Sequence, residues 1–418
     1  MCLTIIGNLK EDDSNFNTYF KEIKSYLYII MVNEARIKKN LKNLAFPRLS
    51  GTEFELKAFN KVMEEIKNLN LEFEIQPFTF SSFYSRIYPK IAFLSGSLIL
   101  LLFYLNIIMI SFVLILILFC IVMASIILTR KPEKIQFIKK FNSQNLLVKI
   151  NSKSNEKDNN DRIVMFMSHL DSKGQRFTIN TRIRMIKLWI SSSLILAVVI
   201  IYKIFISMGF EIIFYIIGLF PLLMNMLASI VFLLNTTDNS SVGAVDNASG
   251  IACNLELVNY YSIPKNRLTN YNMWFLFTGA EECGTMGIRH FYNNLENLDF
   301  DKSILFNFES IANHIYLFPG ENDQDHVKEV DHLLLNNNRN LQISHHITSR
   351  VLGTHSDGGF LGDKGLQGWG VGEVEAYAYM HTSNDTIDKI DTKVLKNLCL
   401  VLIDTLKEHD SNFTKNKK

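Results

Sequence analysis

Apolar positions along the 418-residue chain fall into two kinds of run, long and short. The first long run, "IAFLSGSLILLLFYLNIIMISFVLILILFCIVMASIILT", covers 91–129 without a charge, and a second covers 188–235 with a polar break near Lys203 to Glu211. As one helix the first would measure about 58 Å at about 1.5 Å per residue, nearly twice the roughly 30 Å of a bilayer's hydrocarbon. It is therefore expected to fold back near "YLN" (104–106), and the second at its polar break, with Pro221 as a kink. Core helices seldom run this long without a charge, so both stretches read as transmembrane hairpins, four helices in all.

Basic residues flank the hairpins on one side: Arg86 and Lys90, then Arg130, Lys131 and Lys134, then Arg182, Arg184 and Lys187. The expected turns carry only Lys203, which would snorkel to the outer interface, with Glu211 nearby. By the positive-inside rule the polar pieces face the cytoplasm, which makes the chain a multi-pass membrane protein. It divides into 1–88, a first hairpin at 89–130, 131–186, a second hairpin at 187–235, and 236–418. The three polar pieces together suffice for one domain.

Those pieces hold the short runs. "RIVMFMSHLDS" ends in His169 and Asp171, "YNMWFLFTGAEE" in Glu281 and Glu282, "SILFNFES" in Glu309, and "VEAYAYMH" in His381. Each is expected to be a buried strand that delivers a His or carboxylate past its C-terminal end, where open α/β sheets place their ligands. Helical spacing is seen in "EFELKAFNKVMEEIKNL", in "TKVLKNLCLVLIDTLKEH", and in "GAVDNASGIACNLELVNYYS" after Asp246. The alternation argues for a layered α/β fold.

Composition narrows the partners. The net charge is +2, which gives no pull toward nucleic acid, and mean hydropathy is +0.11, as expected if part of the chain lies in lipid. Five scattered cysteines form no disulfide framework and suit a reducing compartment. The opening residues "MCLTIIGNLKEDDSNF" show no signal-peptide pattern.

Adjacent carboxylates at Glu281 and Glu282 raise a question of repulsion. Together His169, Asp246, Glu282, Glu309 and His381 offer two imidazoles and three carboxylates, a set that suits two Zn²⁺ ions sharing one carboxylate. Divalent ions would relieve the repulsion, one Glu coordinating metal while its neighbour acts as general base. Asp171, two residues past His169, is placed to accept the other imidazole N–H. Taken singly these residues are commonplace, an Asp before a helix being most often an N-cap. Their joint placement after successive apolar runs carries the reading.

The order H-x-D, D-N-x-S-G, T-G-x-E-E-x-G, N-F-E and H-T-x-x-D resembles the co-catalytic zinc exopeptidases of the aminopeptidase Y and glutamate carboxypeptidase II type. "NLAFPRLSGTEFELKAFNKVMEEIKNLNLEFEIQPF" (43–78) is similar to that family's start, and "GTHSDGGFLGDKGLQG" to its S-D-x-x-F segment. Neither hairpin belongs to the usual family pattern. The resemblance implies a three-layer α/β/α zinc-peptidase domain with a mixed central sheet, here interrupted by the hairpins. It implies that Asp246 bridges the two ions, with His169 and Glu309 completing one site and Glu282 and His381 the other. Glu281 would be the general base toward a metal-bridged water, and the Asp246–Asn247 peptide would be cis. One departure is Glu309, where the family usually has Asp. Cys283, beside the pair, is expected to point into the packing.

The resemblance implies a membrane-embedded zinc aminopeptidase acting on a peptide substrate. The alternatives are a carboxypeptidase or glutaminyl cyclase on the same fold, or a non-catalytic membrane scaffold with a peptidase-like domain. Pocket loops decide among the enzymes, and the fold does not. Oligomeric state is not legible in the sequence.

Overall fold

Why three apolar runs end at one place follows from their register. The computed structural model describes residues 32–106, 108–135, 139–154, 162–206, 211–295, 299–320, 322–337, 343–345 and 356–416. The N-terminal segment read above for a signal peptide lies outside them. Helices α1 (Glu34–Leu44) and α2 (Glu53–Asn68) lead into β1 (Phe73–Ser81). The long helices α3 (Tyr88–Leu105) and α4 (Ile108–Thr129) follow, then β2 (Lys140–Ile150), β3 (Ile163–His169) and the short β4 (Gly174–Gln175). A second long pair, α5 (Ile179–Ile206) and α6 (Glu211–Leu234), precedes β5 (Thr237–Asp238), α7 (Gly250–Ser262), β6 (Asn272–Thr278) and α8 (Met286–Asn293). The chain closes with β7 (Ile304–Phe308), β8 (Ile315–Pro319), α9 (Asp325–Asn337), β9 (Ile343–His345), α10 (Asp357–Gly362), β10 (Gly368–Gly372) and α11 (Thr392–Asn416).

Eight strands form a mixed sheet in the order β1-β2-β6-β3-β7-β10-β8-β9. At its centre β3 runs parallel to β6 and β7, with His169 opposite Thr278 and Ser168 opposite Phe308. The C-terminal ends of three parallel strands are therefore level, and the residues that follow them meet.

Both faces of the sheet are covered, as alternation along the strands requires. Val164, Phe166, Phe275, Phe277, Phe306 and Phe308 point into a core shared with α1, α2, α7, α9 and α11. The Phe166 ring stacks against Phe275, Phe306 and Phe308 at 5.3–5.8 Å between centroids. Met165, Met167, Leu276 and Leu305 point the other way, against Ile288 and Phe291 of α8 and Leu361 of α10.

One expected strand is not one. "VEAYAYMH" lies past the end of β10, and its residues Glu375–Ala378 form a 3₁₀ turn. Glu373 accepts the N–H groups of Asn313 and His314 at 2.6 and 3.1 Å, which fastens the chain just past β10 to a neighbouring loop. The strand that fills the place is "GWGVG", disguised by its glycines. Gly368 is required there, since a Cβ would stand 2.0 Å from the Leu305 carbonyl oxygen.

Each long helix pair grows from an antiparallel clamp. β1 and β2 pair down to Ser81 opposite Lys140 at the base of the first pair. β4 and β5 pair Gly174 with Asp238 and Gln175 with Thr237 at the base of the second. A long insertion between His169 and Asp246 thus leaves and re-enters the fold at one point. Arg48 adds a second closure: its guanidinium donates to the carbonyls of Leu170 (2.8 Å), Val242 (2.9 Å) and Gly243 (3.0 Å).

The four long helices are long and apolar enough to cross a membrane. Phe112, Phe205, Ile212 and Phe220 are each about 70–80 % exposed on their outer faces. Between helices Trp189 Nε1 donates to Ser97 Oγ at 3.0 Å, Ser97 meets Ser229 at 2.6 Å, and Asn225 donates to Ser193 Oγ at 2.7 Å. The first pair turns at Asn106, in the left-handed region (φ 55°). The second turn lies outside the described residues. Lys203 does not snorkel outward. It is buried, donates to the Tyr104 carbonyl at 3.0 Å and lies 3.7 Å over the Tyr215 ring. The negative C-terminal end of α3 and an aromatic face provide a better partner than a headgroup.

Candidate active site

His169 is the last residue of β3, and its backbone is continued into the site by Leu170 N–H bonded to Thr278 O at 2.7 Å. Asp246 sits in the turn before α7, where Asp385 accepts the N–H groups of Val245 (2.7 Å) and Asp246 (3.3 Å). The Asp246–Asn247 peptide is cis. Glu309 follows β7, its N–H bonded to Val371 O at 2.9 Å and its Oε1 accepting from Asn307 Nδ2 at 2.5 Å. His381 lies in the loop after β10 with a left-handed backbone (φ 61°), and its carbonyl accepts Gln175 N–H at 2.7 Å.

These side chains converge as two triads joined at Asp246. His169 Nε2 is 3.0 Å from Asp246 Oδ1 and 3.5 Å from Glu309 Oε2. His381 Nε2 is 2.9 Å from Asp246 Oδ2 and 2.9 Å from Glu282 Oε1. Among the described residues these two groups are the ones in which three or more His, Cys, Asp or Glu offer convergent ligand atoms.

The donor chemistry fits a pair of divalent cations. His169 Nδ1 lies 3.1 Å from the Asp171 carbonyl and His381 Nδ1 lies 3.2 Å from Gln175 Oε1. Both are acceptors and suit the tautomer with its proton on Nδ1 and a bare Nε2 toward the carboxylate oxygens, although Arg182 Nη2 also stands 3.2 Å from His381 Nδ1. Glu282 Oε1 is buried and accepts no hydrogen bond. Lone pairs facing lone pairs require a positive charge between them. The protein groups alone express the same demand. Burial would lower the His169 pKa, yet Asp171, Asp246 and Glu309 raise it well above the ordinary value. Burial would raise Asp246, and His169 and His381 hold it well below the usual range.

Glu281 and Glu282 are separated by environment. Both follow β6, where Ala280 takes a left-handed conformation (φ 52°) and three consecutive N–H groups turn inward. Glu55 accepts the N–H of Ala280 at 2.8 Å, and Asp171 accepts those of Glu281 and Glu282 at 3.1 Å each. Burial raises the Glu281 pKa well above the ordinary value, with Glu309 and Glu282 adding to it against His169. For Glu282 burial also opposes ionisation, but His381 and Lys173 pull it down to about 2. One member of the pair is a fixed anion while the other is disposed to hold a proton.

Asp171 faces the other imidazole nitrogen of His169 as expected, with its main chain as well as its carboxylate. Its main-chain carbonyl is the nearer acceptor for His169 Nδ1, with the carboxylate at 3.5 Å, and that carboxylate chiefly holds the Glu281–Glu282 turn. Cys283 is buried beside Phe78, Phe80 and Met286 and is not among the convergent ligands. Sequence reasoning assigned no role to Glu55 or Asp385, although both stand in the quoted "RLSGTEFE" and H-T-x-x-D segments. A carboxylate that binds chiefly backbone N–H groups leaves no spacing signature. Lys173 and Gln175 were also unassigned, and Arg182 was read only as a basic flank of the second hairpin.

Residues 225–406 match the model of Peptidase family M28. That span contains every convergent ligand except His169, which is separated from it by α5 and the first part of α6. In fold the chain is similar to an aminopeptidase from Aneurinibacillus sp. strain AM-1 (TM-score 0.56, 14% identity, 91% of this chain and 94% of that one). It is also similar to a zinc aminopeptidase from Bacillus subtilis (TM-score 0.52, 12% identity, 90% and 95%). A glutaminyl cyclase from Fimbriiglobus ruber is as similar (TM-score 0.52, 13% identity, 90% and 95%). No curated protein matches the sequence. The family match over this span bears out the resemblance to co-catalytic zinc exopeptidases, and the similar folds bear out the layered α/β architecture with a mixed central sheet.

Proposed function

We propose that this chain, with a peptidase family M28 match over its ligand-bearing half, is a membrane-embedded zinc exopeptidase, most simply an aminopeptidase. The observation that carries the reading is the pair of triads sharing Asp246, with an unshared carboxylate, Glu281, beside them. His169, Asp246 and Glu309 would hold one zinc ion, and Asp246, Glu282 and His381 the other. When bound, such ions polarise a peptide carbonyl and make water more acidic.

The chain's own residues do the rest. Glu281, ionised, takes a proton from the attacking water and delivers it to the departing amine, and its burial makes that carboxylate a stronger base. Asp171 and Glu55 fix the turn that aims it. Asp171 O and Gln175 hold the two imidazoles in the tautomer that leaves Nε2 free. The exposed apolar faces of α3–α6 lie in lipid, and both helix pairs leave and return on the same side, which the basic flanks assign to the cytoplasm.

Detergent-purified protein should carry about two zinc ions per chain and hydrolyse an aminoacyl chromogenic substrate. N-terminal acetylation of a peptide should abolish cleavage. Cleavage that survives acetylation would assign a carboxypeptidase, and zinc without turnover on any peptide would leave the scaffold reading.

A further inference from the structure

Two cations flank the Glu282 side of the site, and one of them is not spoken for. Lys173 Nζ contacts Glu282 Oε2 at 2.5 Å, the oxygen turned away from His381. The Lys173 side chain is 15 % exposed against 4 % for Glu282. Arg182 comes from the first turn of α5, whose Ile179 and Ile183 pack against Val245 and Met380 beside the ligand loops. Its Nη2 stands 3.2 Å from His381 Nδ1. That nitrogen has one proton site, and a ring that turns Nε2 to Asp246 and Glu282 donates from Nδ1 to Gln175 Oε1. A ring that binds a cation through Nε2 keeps its proton on Nδ1, and in that state Arg182 has no acceptor in the imidazole. Its Nε is buried and without a hydrogen-bond partner among the described residues.

Neither structural role accounts for this guanidinium. A cation in the first turn of a helix opposes the helix dipole, so it does not serve α5. Neutralising Glu282 is done by Lys173 at contact distance, and Arg182 feels that carboxylate only at longer range. A buried donor with no acceptor is costly unless something brings one. Divalent ions at the triads would add positive charge to the same corner and strengthen the demand for an anion.

We propose that Arg182, with Lys173 beside it, is the recognition point for a substrate carboxylate, so that the enzyme acts on short peptides bearing an acidic group close to the bond cut. The inference rests on the exopeptidase reading and deepens it. A guanidinium fork suits a carboxylate better than any other peptide group. Two sources share this chemistry: the C-terminal carboxylate of a very short peptide, or an acidic first side chain. Because Arg182 belongs to the inserted helix, the membrane segment itself supplies part of substrate selection.

The test uses the full chain in detergent, bearing Glu281→Gln so that binding is measured without turnover, at equal zinc content throughout. Calorimetry compares Leu-Ala, Leu-Ala-amide and Glu-Ala-amide. One of the two carboxylate peptides should bind about tenfold to a hundredfold more tightly than Leu-Ala-amide, the scale of one charge-assisted hydrogen bond. Arg182→Met should erase that preference, and Arg182→Lys should keep part of it. Preference for Leu-Ala identifies the C-terminal carboxylate, and preference for Glu-Ala-amide identifies the side chain. Equal binding of all three peptides, or a preference that survives Arg182→Met, overturns the proposal. Wild-type protein that cleaves none of the three while retaining an Arg182-dependent preference would sink the peptidase reading and leave the carboxylate site standing.

Discussion

Glu55 Oε1 accepts the backbone N–H of Ala280 at 2.8 Å, although 225 residues separate them. The same carboxylate receives Gly51 N–H at 2.6 Å and Ser143 Oγ at 2.9 Å. It thus joins α2, β2 and the turn that presents Glu281. Burial pushes its pKa up to about 8.

Replacing Glu55 by Ala should strand buried N–H groups, at a cost of about 1–3 kcal/mol for each group left unpaired. Thermal denaturation of the detergent-solubilised protein reads that loss. Turnover should fall more than substrate affinity, because the turn carrying Glu281 loosens while the ligand residues stay. A Glu55→Ala protein with lowered stability and unchanged kcat would show that Glu55 serves folding alone.

Glu281→Gln removes the proton acceptor and preserves the shape of the turn. Zinc content should stay the same and kcat should drop by about 10²–10⁴, the usual contribution of a general base. Full turnover in this variant would take Glu281 out of the mechanism.

His381→Ala has the opposite signature. Only one triad loses a ligand, so zinc measured after dialysis should fall toward about one ion per chain, the His169–Asp246–Glu309 group retaining its own. Undiminished zinc would remove His381 from the ligand set. Exhaustive chelation of the wild type should abolish activity, and added zinc should restore it.

Much of the fold was legible because the central strands are uninterrupted apolar runs. β3, β6 and β7 are buried on both faces, and such strands advertise themselves as Ile-Val-Met-Phe stretches with polar residues where they end. β10 hid behind Gly368, Gly370 and Gly372, and "AYAY" imitated a strand because alternation does not report where a sheet stops. The residues proposed as ligands could be read from their types and order. Their supports could not, because Glu55 and Asp385 bind main-chain groups and Gln175 meets His381 across a sequence separation of 206. Lys203 was misplaced for a related reason: a cation between hydrophobic helices reads as an interface anchor until the helix end that accepts it is known.

Lys203 gives a test of the bundle. Its ammonium ties α5 to the end of α3, so Lys203→Met should lose a charge-assisted bond and lower stability by about 1.5–3 kcal/mol. Zinc content should be unaffected, since Lys203 and the ligand loops stand at opposite ends of α5. A Lys203→Met protein as stable as the wild type would show that the two helix pairs are held by their apolar contacts and the Ser97–Asn225 network alone.

Topology follows from the site rather than from hydropathy alone. His169 precedes the second helix pair and Asp246 follows it, yet their side chains are 3.0 Å apart. On the membrane-embedded reading proposed above, the pair crosses the bilayer an even number of times, and α5 and α6 are two helices long and apolar enough to do so. The same holds for α3 and α4, because Glu55 before them bonds Ser143 after them. On that topology every ligand residue shares one face, and the positive-inside rule applied to Arg86, Lys90, Arg130, Lys131 and Lys134 predicts that this face is cytoplasmic. In a background without native cysteines, a cysteine at Asn106, at the first turn, should react with a membrane-impermeant thiol reagent in intact cells. One at Ser207, in the second turn and outside the described residues, should behave the same way. A cysteine at Ser154 should stay unlabelled until the cells are opened. The reverse pattern would put the active site outside and overturn the orientation, while the geometry around Asp246 would be unaffected.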